Sequence, residues 1–314
     1  MDASIIVCTY NRAESLRDTL KALKAQQLSP GRTWEVVIVD NNSRDHTRQV
    51  VESTQSDWPL LRYEFEGKQG LSHARNHGIL VSQGQVLLFT DDDVLPEPDW
   101  LENTLSGLDQ CKADACGGYI APIWEIPPPS WLTERFHGFI AVRMDSHGPY
   151  PIKDATDSPF GANMAFRREV LNKVGHFDPN RGRTGAVLAS GEDGELFDRI
   201  LKAGFRVVWL PNARVHHKVE AFRTRKSYFR KWRYQTSRNL AQCNGIPGSR
   251  RILGIPVYFF FQFFRALWLA FSGKLFSPPP EAFNRVMVVW HFLGAMAGLI
   301  NSRHNLVSSQ DEKG

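Results

Sequence analysis

The residues LLFTDDDVLPEPDWL at positions 87–101 form an apolar run of strand length that ends in three adjacent aspartates. Each ionised carboxylate raises the pKa of its neighbours unless a cation or hydrogen-bond donors lie against it. In an extended segment, Asp91 and Asp93 should point to one side and Asp92 to the other. Carboxylate oxygens suit Mg²⁺ or Mn²⁺, and Mg²⁺ is usually bound together with substrate phosphates. A solvated turn that leads into a helix explains the triplet equally well, so the motif alone leaves both interpretations open.

The segments around this run alternate between strand-length and helix-length patterns. Short runs with β-branched or aromatic residues lie at 4–8, 34–39, 61–65 and 85–90, and further strand-like segments lie at 160–167 and 205–210. Helix-length segments lie at 13–27, 45–56, 71–82 and 192–203. Such alternation is typical of parallel strands joined by crossover helices, and the continuously apolar strands indicate that both faces of the sheet are covered. The sequence therefore predicts a Rossmann-like α/β sheet over roughly the first 110 residues.

Polar residues follow three of the predicted strands at the point where each strand ends. These polar clusters lie at 9–12, 40–43 and 91–93. In open α/β sheets, ligands bind beyond the carboxyl ends of the strands. We therefore expect the three clusters to converge on one ligand site.

Two further groups could add chemistry to such a site. Glu192 and Asp193 open a predicted helix, where one of them could be a general base. Ser190 and Asp193 also match a helix-capping pattern, which explains the same residues without catalysis. His216 and His217 follow a predicted strand, and the alternation of side chains allows one of the pair to face the site.

The composition excludes several other classes of protein. Four cysteines among 314 residues form no CxxC pair and show no metal-ligand spacing with histidine, so neither a zinc site nor a disulfide framework is expected. The motifs of P-loop ATPases, dinucleotide-binding dehydrogenases, zinc proteases and α/β-hydrolases are absent. The N-terminus carries an early acid and only a short apolar run, so we expect a first domain that is not exported from the cytosol.

Positive charge is concentrated in the last third of the chain. The net charge is +5, yet residues 223–251 hold nine Arg or Lys and no Asp or Glu. Aromatic side chains are interspersed with these cations at helical spacing. We therefore expect a basic amphipathic helix that lies on a membrane surface, and not one that binds nucleic acid.

An apolar region follows this basic segment. Residues 252–271 are long enough to cross a bilayer but are interrupted by Pro256, Gln262 and Arg265, and residues 286–300 are short for a span. We expect a half-inserted or hairpin anchor made of helices, with a hydrophobic interface in a homodimer as the alternative. The predicted division of the chain is 1–221, 222–251, 252–303 and a flexible tail at 304–314.

Taken together, these motifs resemble the family-two glycosyltransferases of GT-A fold, and the resemblance covers about residues 4–217. The matching motifs are TYNR at 9–12, VDNNS at 39–43, the G…ARN.G pattern at 70–78, DDD at 91–93, GAN at 161–163, FD at 177–178 and ED at 192–193. Lys68 and Gln69 stand where the family often has asparagine, and Pro179 stands where an acid is common. These departures leave the identity of the donor open, and they affect the predicted fold less.

The resemblance implies a role for each matching residue. Asp40 is expected to contact the nucleotide base, and Asp91 or Asp92 the ribose or the metal. The implied site consists of Asp193 as catalytic base, of Asp93, Asp91 and His216 as ligands of Mn²⁺ or Mg²⁺, and of Thr9, Tyr10, Asn11, Arg12, Asp40, Arg75, Asp91, Asp92, Gly161, Asn163 and Glu192 as substrate-binding residues.

The implied activity is an inverting transfer of one sugar from a nucleotide-diphosphate sugar to a hydroxyl group. A UDP-sugar is the favoured donor, and a GDP-sugar is the alternative. The acceptor is expected to be lipid-linked or another glycan in cell-surface polysaccharide synthesis, at the cytoplasmic face of the bacterial inner membrane. Processive members carry a QxxRW element whose residue types occur here in another order at 229–233, so we expect non-processive transfer. A metal-dependent phosphohydrolase and a catalytically degenerate membrane-bound scaffold that binds nucleotide sugars are the alternatives.

Overall fold

The computed structural model describes residues 1–185, 187–188, 190–248 and 250–311, the last ten of them by their backbone alone. The chain forms two compact units. The first comprises Met1–Glu125, Ala141–Gly185 and Glu192–Val219, and the second comprises Ile126–Ile140, Ala186–Gly191 and Glu220–Gly314. Residues 126–140 thus group with the C-terminal helices rather than with the segments on either side of them. Of the predicted tail at 304–314, residues 312–314 lie outside the described part of the chain.

The first unit is an α/β fold built on one mixed sheet. Its strands are β1 (Ala3–Thr9), β2 (Trp34–Asp40), β3 (Leu61–Phe65), β4 (Val86–Asp91), β5 (Val94–Pro96), β6 (Ala115–Trp124), β7 (Tyr150–Ile152), β8 (Met164–Arg167) and β9 (Val207–Val219). Its helices are α1 (Ala13–Lys24), α2 (Thr47–Gln55), α3 (Leu71–Val81), α4 (Trp100–Gln110), α5 (Arg168–Val174) and α6 (Glu192–Lys202). The strand order is β3-β2-β1-β4-β8-β6-β9-β5, and β7 also pairs with β9.

The N-terminal half of this sheet is parallel, and the other half is mixed. β3, β2, β1 and β4 run parallel and are joined by α1, α2 and α3, which confirms the predicted Rossmann-like arrangement. β8 runs antiparallel to both β4 and β6, whereas β6 and β9 are parallel. The carboxyl ends of β1, β2 and β4 therefore meet at one edge of the sheet.

Helices cover both faces of the sheet, which explains why its strands are almost continuously apolar. Ile5 and Val7 of β1 belong to one core cluster together with Leu16 of α1. Ile6, which lies between them in sequence, belongs to a second cluster together with Ala74 of α3. Because side chains alternate along a strand, central strands such as β1, β2 and β4 supply residues to both cores.

Several strands differ from the sequence-based prediction. β9 continues through Pro211 to Val219, so His216 and His217 lie within a strand rather than after it. β5 was not predicted from the sequence, and it pairs antiparallel with β9. β8 begins at Met164 rather than Phe160. These strands are short or contain proline, and they depend on pairing with partners that are distant in sequence.

The second unit is helical. It contains α7 (Lys226–Asn244), a two-stranded hairpin of β10 (Arg251–Ile252) and β11 (Ile255–Pro256), α8 (Val257–Phe276) and α9 (Pro279–Asp311). α9 packs against both α7 and α8. Among the described residues, Pro279–Asn301 of α9 is the one helical stretch that is long and apolar enough to cross a membrane, and 39% of its most apolar window is buried inside the protein.

The apolar face of α7 is buried inside this unit, contrary to the prediction that it lies on a membrane. Phe229 is fully buried, and its ring centroid lies 5.1 Å from Trp131, 6.0 Å from Phe136 and 6.2 Å from Phe283. Its partners come from the segment at 126–140 and from α9. The amphipathic pattern of α7 therefore reflects packing against these segments, which its own sequence does not reveal.

Candidate functional site

The loops after β1 and β2 lie against each other at the carboxyl edge of the sheet. The backbone N–H of Asn11 donates to Ser43 Oγ at 2.8 Å, and the backbone N–H of Arg44 donates to Asn11 Oδ1 at 2.7 Å. Asn11 has a φ of 52°, a left-handed conformation that asparagine adopts more readily than most residues. The two loops converge as predicted, and half-buried Tyr10 lies in the first of them.

Asp40, at the end of β2, is buried and held in one orientation. The backbone N–H of Ser43 donates to Asp40 Oδ1, and the Tyr63 hydroxyl donates to Asp40 Oδ2, both at 2.9 Å. Burial and then this hydrogen bond raise the pKa of Tyr63 well above its ordinary value, so Tyr63 stays a donor. Tyr63 is absent from the predicted site because its position depends on the pairing of β2 with β3.

Arg12 lies against two of the three aspartates. Its Nε is 3.1 Å from Asp92 Oδ1, and its Nη2 is 3.1 Å from Asp93 Oδ2. β4 ends at Asp91 and a turn follows, so Asp92 and Asp93 do not point to opposite sides as the predicted alternation requires. Thr9 Oγ1 donates to Asp92 Oδ2 at 2.7 Å and ties the triplet to the end of β1. The protein itself thus supplies part of the positive charge that the triplet needs.

The three carboxylates differ in exposure and in pKa. Asp92 and Asp93 are buried, whereas the side chain of Asp91 is 35% exposed. Burial raises the pKa of Asp92 to about 7 against the opposing effect of Arg12, and repulsion from Asp93 adds to the rise. Burial and then repulsion from Asp93 also raise the pKa of Asp91. A further cation near Asp91 and Asp93 would therefore be stabilised.

The triplet suits a divalent ion that is shared with a substrate. Among the described residues, no cluster of three or more His, Cys, Asp or Glu is arranged to hold a metal ion on its own. Mg²⁺ is commonly bound by one or two carboxylates together with substrate phosphates, so a partial set of protein ligands is sufficient. Asp91 and Asp93 fit this role because a cation would relieve the repulsion between them.

The structure places His217, and not the predicted His216, beside the triplet. His217 is buried, and its Nε2 is 3.3 Å from Asp93 Oδ1. His216 is 40% exposed, and its Nε2 lies 3.0 Å from Glu97 Oε1. β5 pairs with β9 in a register that aligns Val94, the residue after Asp93, with His217 and aligns Leu95 with His216, and this places the side chain of His217 beside that of Asp93. The two adjacent histidines could be recognised in the sequence, but only this register shows which of them lies beside Asp93.

Arg75 of α3 joins the triplet to the predicted base. Its Nη1 is 2.6 Å from Asp193 Oδ1 and 3.3 Å from Glu192 Oε1, and its Nη2 is 4.0 Å from Asp91 Oδ1. Burial by itself would lower the pKa of Arg75, but attraction to Asp193, Glu192 and Asp91 raises it above its ordinary value. The backbone N–H of Gly161 donates to Asp193 Oδ2 at 2.9 Å. Both oxygens of Asp193 are therefore engaged by partners outside its own helix, which the capping interpretation does not explain.

Glu192, beside Asp193, is buried, and the hydrogen-bonding capacity of its carboxyl group is only partly used. Its side chain is 4% exposed, and its Oε2 has no hydrogen-bond partner among the described residues. Burial and then repulsion from Asp193 raise the pKa of Glu192 to about 7, although Arg75 opposes the rise. Glu192 is thus shielded from solvent and contacts Arg75, which makes it a support for the site more than a direct contact.

Gly161 occupies a position where no side chain fits. A Cβ atom at Gly161 would overlap the guanidinium of Arg75 and would come within 3.1 Å of Asp193 Oδ2. The absence of a side chain allows the backbone N–H to approach the Asp193 carboxylate. This explains why glycine stands at the start of the GAN motif.

Asn163 has an internal role rather than the predicted contact with substrate. Its Nδ2 donates to Tyr119 O at 3.1 Å and to Ala213 O at 2.8 Å, and its Oδ1 accepts from Trp100 Nε1 at 2.9 Å. Asn163 is 3% exposed, so these bonds use its amide within the sheet. It connects β6, β9 and α4 behind the site.

Comparison with known proteins agrees with this geometry. The profile of glycosyl transferase family 2 matches residues 4–175. The glucosyl-dolichyl phosphate glucuronosyltransferase of Haloferax volcanii is 31% identical over 228 residues, which are 71% of this chain and 71% of that protein. The succinoglycan biosynthesis protein ExoM of Rhizobium meliloti is 27% identical over 234 residues, which are 73% of this chain and 71% of that protein.

Solved structures share the fold. The mannosyltransferase PcManGT from Pyrobaculum calidifontis, in complex with GDP-Man and Mn²⁺, superposes with a TM-score of 0.62 at 19% identity over 95% of this chain and 87% of that one. S. aureus TarS 1–349 superposes with a TM-score of 0.55 at 18% identity over 100% of this chain and 92% of that one. The match of the family profile to more than half of the chain, together with the arrangement of strands and motifs, shows that this protein is a glycosyltransferase that belongs to glycosyl transferase family 2 and has the GT-A fold.

Proposed function

We propose that this glycosyltransferase transfers one sugar, with inversion, from a nucleotide-diphosphate sugar to a hydroxyl group. The observation that carries the proposal is the position of Asp193. Arg75 and the Gly161 N–H hold its carboxylate, and the same guanidinium lies 4.0 Å from Asp91 of the acidic triplet. A candidate base and a candidate diphosphate site are therefore next to each other in the first unit, as a direct displacement requires.

The donor would bind across the loops after β1 and β2. Asp40, which Tyr63 and Ser43 hold in place, has acceptor sites left for a nucleotide base, because each carboxylate oxygen can accept more than one hydrogen bond. A UDP-sugar and a GDP-sugar are both candidates, because solved relatives of this fold are complexes with GDP-Man or with UDP. We favour a UDP-sugar and keep a GDP-sugar as the alternative.

Asp91 and Asp93, together with the phosphates of the donor, would hold a Mn²⁺ or Mg²⁺ ion, and His217 would keep Asp93 in position from 3.3 Å. When bound, such an ion neutralises the charge that develops on the departing diphosphate. Two solved relatives contain Mn²⁺ together with a nucleotide or nucleotide sugar. Arg12 contributes a fixed positive charge on the other side of Asp93.

Asp193 would accept the proton of the acceptor hydroxyl. Its Oδ1 lies 2.6 Å from Arg75 Nη1, whereas its Oδ2 accepts a weaker backbone N–H bond. Oδ2 therefore has the weaker partner of the two oxygens and is the atom to which we assign the proton. A carboxylate is a weak base toward an alcohol, so the proton would be transferred late, as the new bond to the anomeric carbon forms.

The acceptor would be a lipid-linked or other glycan, and the enzyme would act at the cytoplasmic face of a membrane, held peripherally or by a hairpin anchor. The names of two relatives support this, since one is a glucosyl-dolichyl phosphate glucuronosyltransferase and the other is a succinoglycan biosynthesis protein. The basic and apolar composition of the second unit is also consistent with a membrane surface.

The donor is testable without knowledge of the acceptor. Thermal-shift measurements with a panel of UDP- and GDP-sugars, each with and without Mn²⁺, should show a rise in Tm for one nucleotide class that depends on the metal. Asp93→Asn should abolish the metal-dependent part of the rise. If no nucleotide sugar stabilises the protein, the proposal is wrong.

The base is testable by pairing substitutions on α6. Asp193→Asn keeps the shape and one oxygen for the Gly161 bond, but it loses the ion pair with Arg75 and cannot take a proton. Transfer of a radiolabelled sugar to membrane glycolipid should therefore fall by about 10²–10⁴-fold while donor binding persists. Asp198→Asn is the matched control, because Asp198 is exposed on the same helix and pairs with Lys202. Transfer that survives in the Asp193→Asn variant would exclude Asp193 as the base.

A further inference from the structure

The outer face of α8 is an exposed apolar stripe. Its side chains recur every three or four residues, and they are Phe261 (72% exposed), Phe264 (63%), Trp268 (68%), Phe271 (64%) and Leu275 (66%). At 100° per residue, these five side chains lie on one face along the 20-residue helix, which is about 30 Å long. We call this face the α8 stripe. Scattered exposed apolar residues are common, but a continuous aromatic face indicates an interaction surface.

The stripe is opposite the face of α8 that packs inside the protein. Phe259, Ala266, Ala270 and Gly273 are buried, and they recur with the same spacing on the other side of the helix. Phe259 lies 4.8 Å from Phe292 of α9, measured between ring centroids. α8 is therefore firmly attached by one face, and the stripe remains available to something outside the unit.

The charge around the stripe identifies the class of partner. Residues 221–280 contain eleven Arg or Lys and no Asp or Glu. Arg265 and Lys274 are exposed and lie on either side of the stripe around the helix. A second copy of the chain would bring two such basic segments together, which like charges disfavour. An anionic phospholipid surface accepts both the aromatic side chains and the cations that flank them.

The hairpin that precedes α8 has the same character. Ile252 is 55% exposed and Leu253 is 68% exposed, with Arg250 and Arg251 exposed beside them. Leu253 has a φ of 52°, in the left-handed region that a non-glycine residue seldom adopts. The apolar side chain of a strained residue at the tip of a turn makes no stabilising contact while it is exposed to water. In an apolar medium the same side chain would be favourably buried.

We propose that α8 lies in the plane of an anionic bilayer, with the α8 stripe among the acyl chains and with Arg265 and Lys274 at the phosphate groups. This inference deepens the membrane association proposed above and rests on it. It assigns the contact to α8 and its hairpin rather than to α7, whose apolar face is buried. α9 then supports α8 from within the protein and need not itself cross the membrane.

The test is flotation of the full-length protein with vesicles of phosphatidylcholine, alone or with about 30% phosphatidylglycerol. The wild type should bind the anionic vesicles, and the double variant Phe264→Ser/Trp268→Ser should bind at least about tenfold more weakly, because two large apolar side chains no longer leave water. The matched control is Leu80→Ser, since Leu80 is 73% exposed on α3 of the first unit and should not change binding.

The charge requirement is tested separately with Arg265→Gln/Lys274→Gln. This variant should lose several-fold in binding to anionic vesicles, and added salt should narrow its difference from the wild type. Equal binding of the wild type to neutral and anionic vesicles would overturn the choice of an anionic surface. Vesicle binding that is unchanged in the Phe264→Ser/Trp268→Ser variant would overturn the assignment to α8.

Two further measurements separate this inference from the proposed function. Sedimentation velocity should show a monomer, and a dimer that the stripe variant abolishes would overturn the proposal in favour of self-association. Binding of a nucleotide sugar with Mn²⁺ in solution should be equal in wild type and stripe variant, which also shows that the variant is folded. If vesicle binding fails while donor binding holds, the membrane surface is wrong and the transferase proposal stands.

Discussion

Replacing Glu192 by glutamine should stabilise the protein, and the gain should grow with pH. Burial and repulsion from Asp193 raise the pKa of Glu192 from 4.5 to about 7. A carboxyl group whose pKa is raised in the folded state favours folding fully below its unfolded pKa, and this contribution is lost as the pH rises through the folded pKa. Above pH 7, ionised Glu192 therefore lowers the free energy of unfolding, and glutamine removes that cost.

The size of the effect follows from the pKa. At 1.36 kcal/mol per pKa unit, a rise from 4.5 to about 7 corresponds to about 3 kcal/mol at a pH above 7. The attraction between Glu192 and Arg75 is already contained in that pKa, and the glutamine Oε1 can still accept the 3.3 Å bond. At about pH 5, Glu192 is largely protonated in the folded protein, so the gain should be only about 1 kcal/mol.

The assay is guanidinium unfolding of the wild type and the Glu192→Gln variant at about pH 5 and about pH 8, followed by tryptophan fluorescence. Glu195→Gln is the matched control on the same helix, because Glu195 is partly exposed and pairs with Arg199 at 2.7 Å. At about pH 8 this control should lose up to about 1 kcal/mol, a change of opposite sign. A Glu192→Gln variant that is no more stable than the wild type at about pH 8, or whose gain is the same at both pH values, would refute the reasoning.

The site and the fold allow further predictions. Gly161→Ala should displace Arg75 and reduce transfer by at least about tenfold, as radiolabelled sugar incorporation would show, and retained activity would contradict the close approach. His217→Ala should weaken Mn²⁺ binding in calorimetry whereas His216→Ala should not, and the reverse result would restore the sequence-based assignment. Trp100→Phe should cost about 1–3 kcal/mol in denaturant unfolding because it leaves a buried amide oxygen unpaired, and an unchanged midpoint would contradict this.

Local patterns in the sequence determined the parallel part of the sheet. The apolar runs that became β1, β2 and β4 are nearly continuous because both of their faces are covered, so they stand out without knowledge of their partners. The polar clusters at 9–12 and 40–43 end two of these strands, and their convergence follows from the rule for open α/β sheets. The motifs that these loops carry occur along the chain in the same order as in the family, which supports the same arrangement.

Contacts between distant segments decided the details of the site. Side-chain alternation says that His216 and His217 face opposite ways, but the register between β5 and β9 selects His217 as the partner of Asp93. The turn after Asp91 brings two aspartates onto Arg12, where an extended segment would separate them. A pairing register and a turn depend on residues that are far apart in sequence, so no local pattern contains them.

The same distinction holds for the second unit. The sequence by itself determined that residues 221–280 are basic and that the region around α8 is apolar, because the composition of a segment does not depend on its tertiary contacts. Which apolar face is covered depends on how the helices pack, and α9 together with residues 126–140 covers α7 while the α8 stripe stays exposed. An amphipathic pattern predicts that one face of a helix is buried, and only the tertiary structure shows whether another part of the protein covers that face.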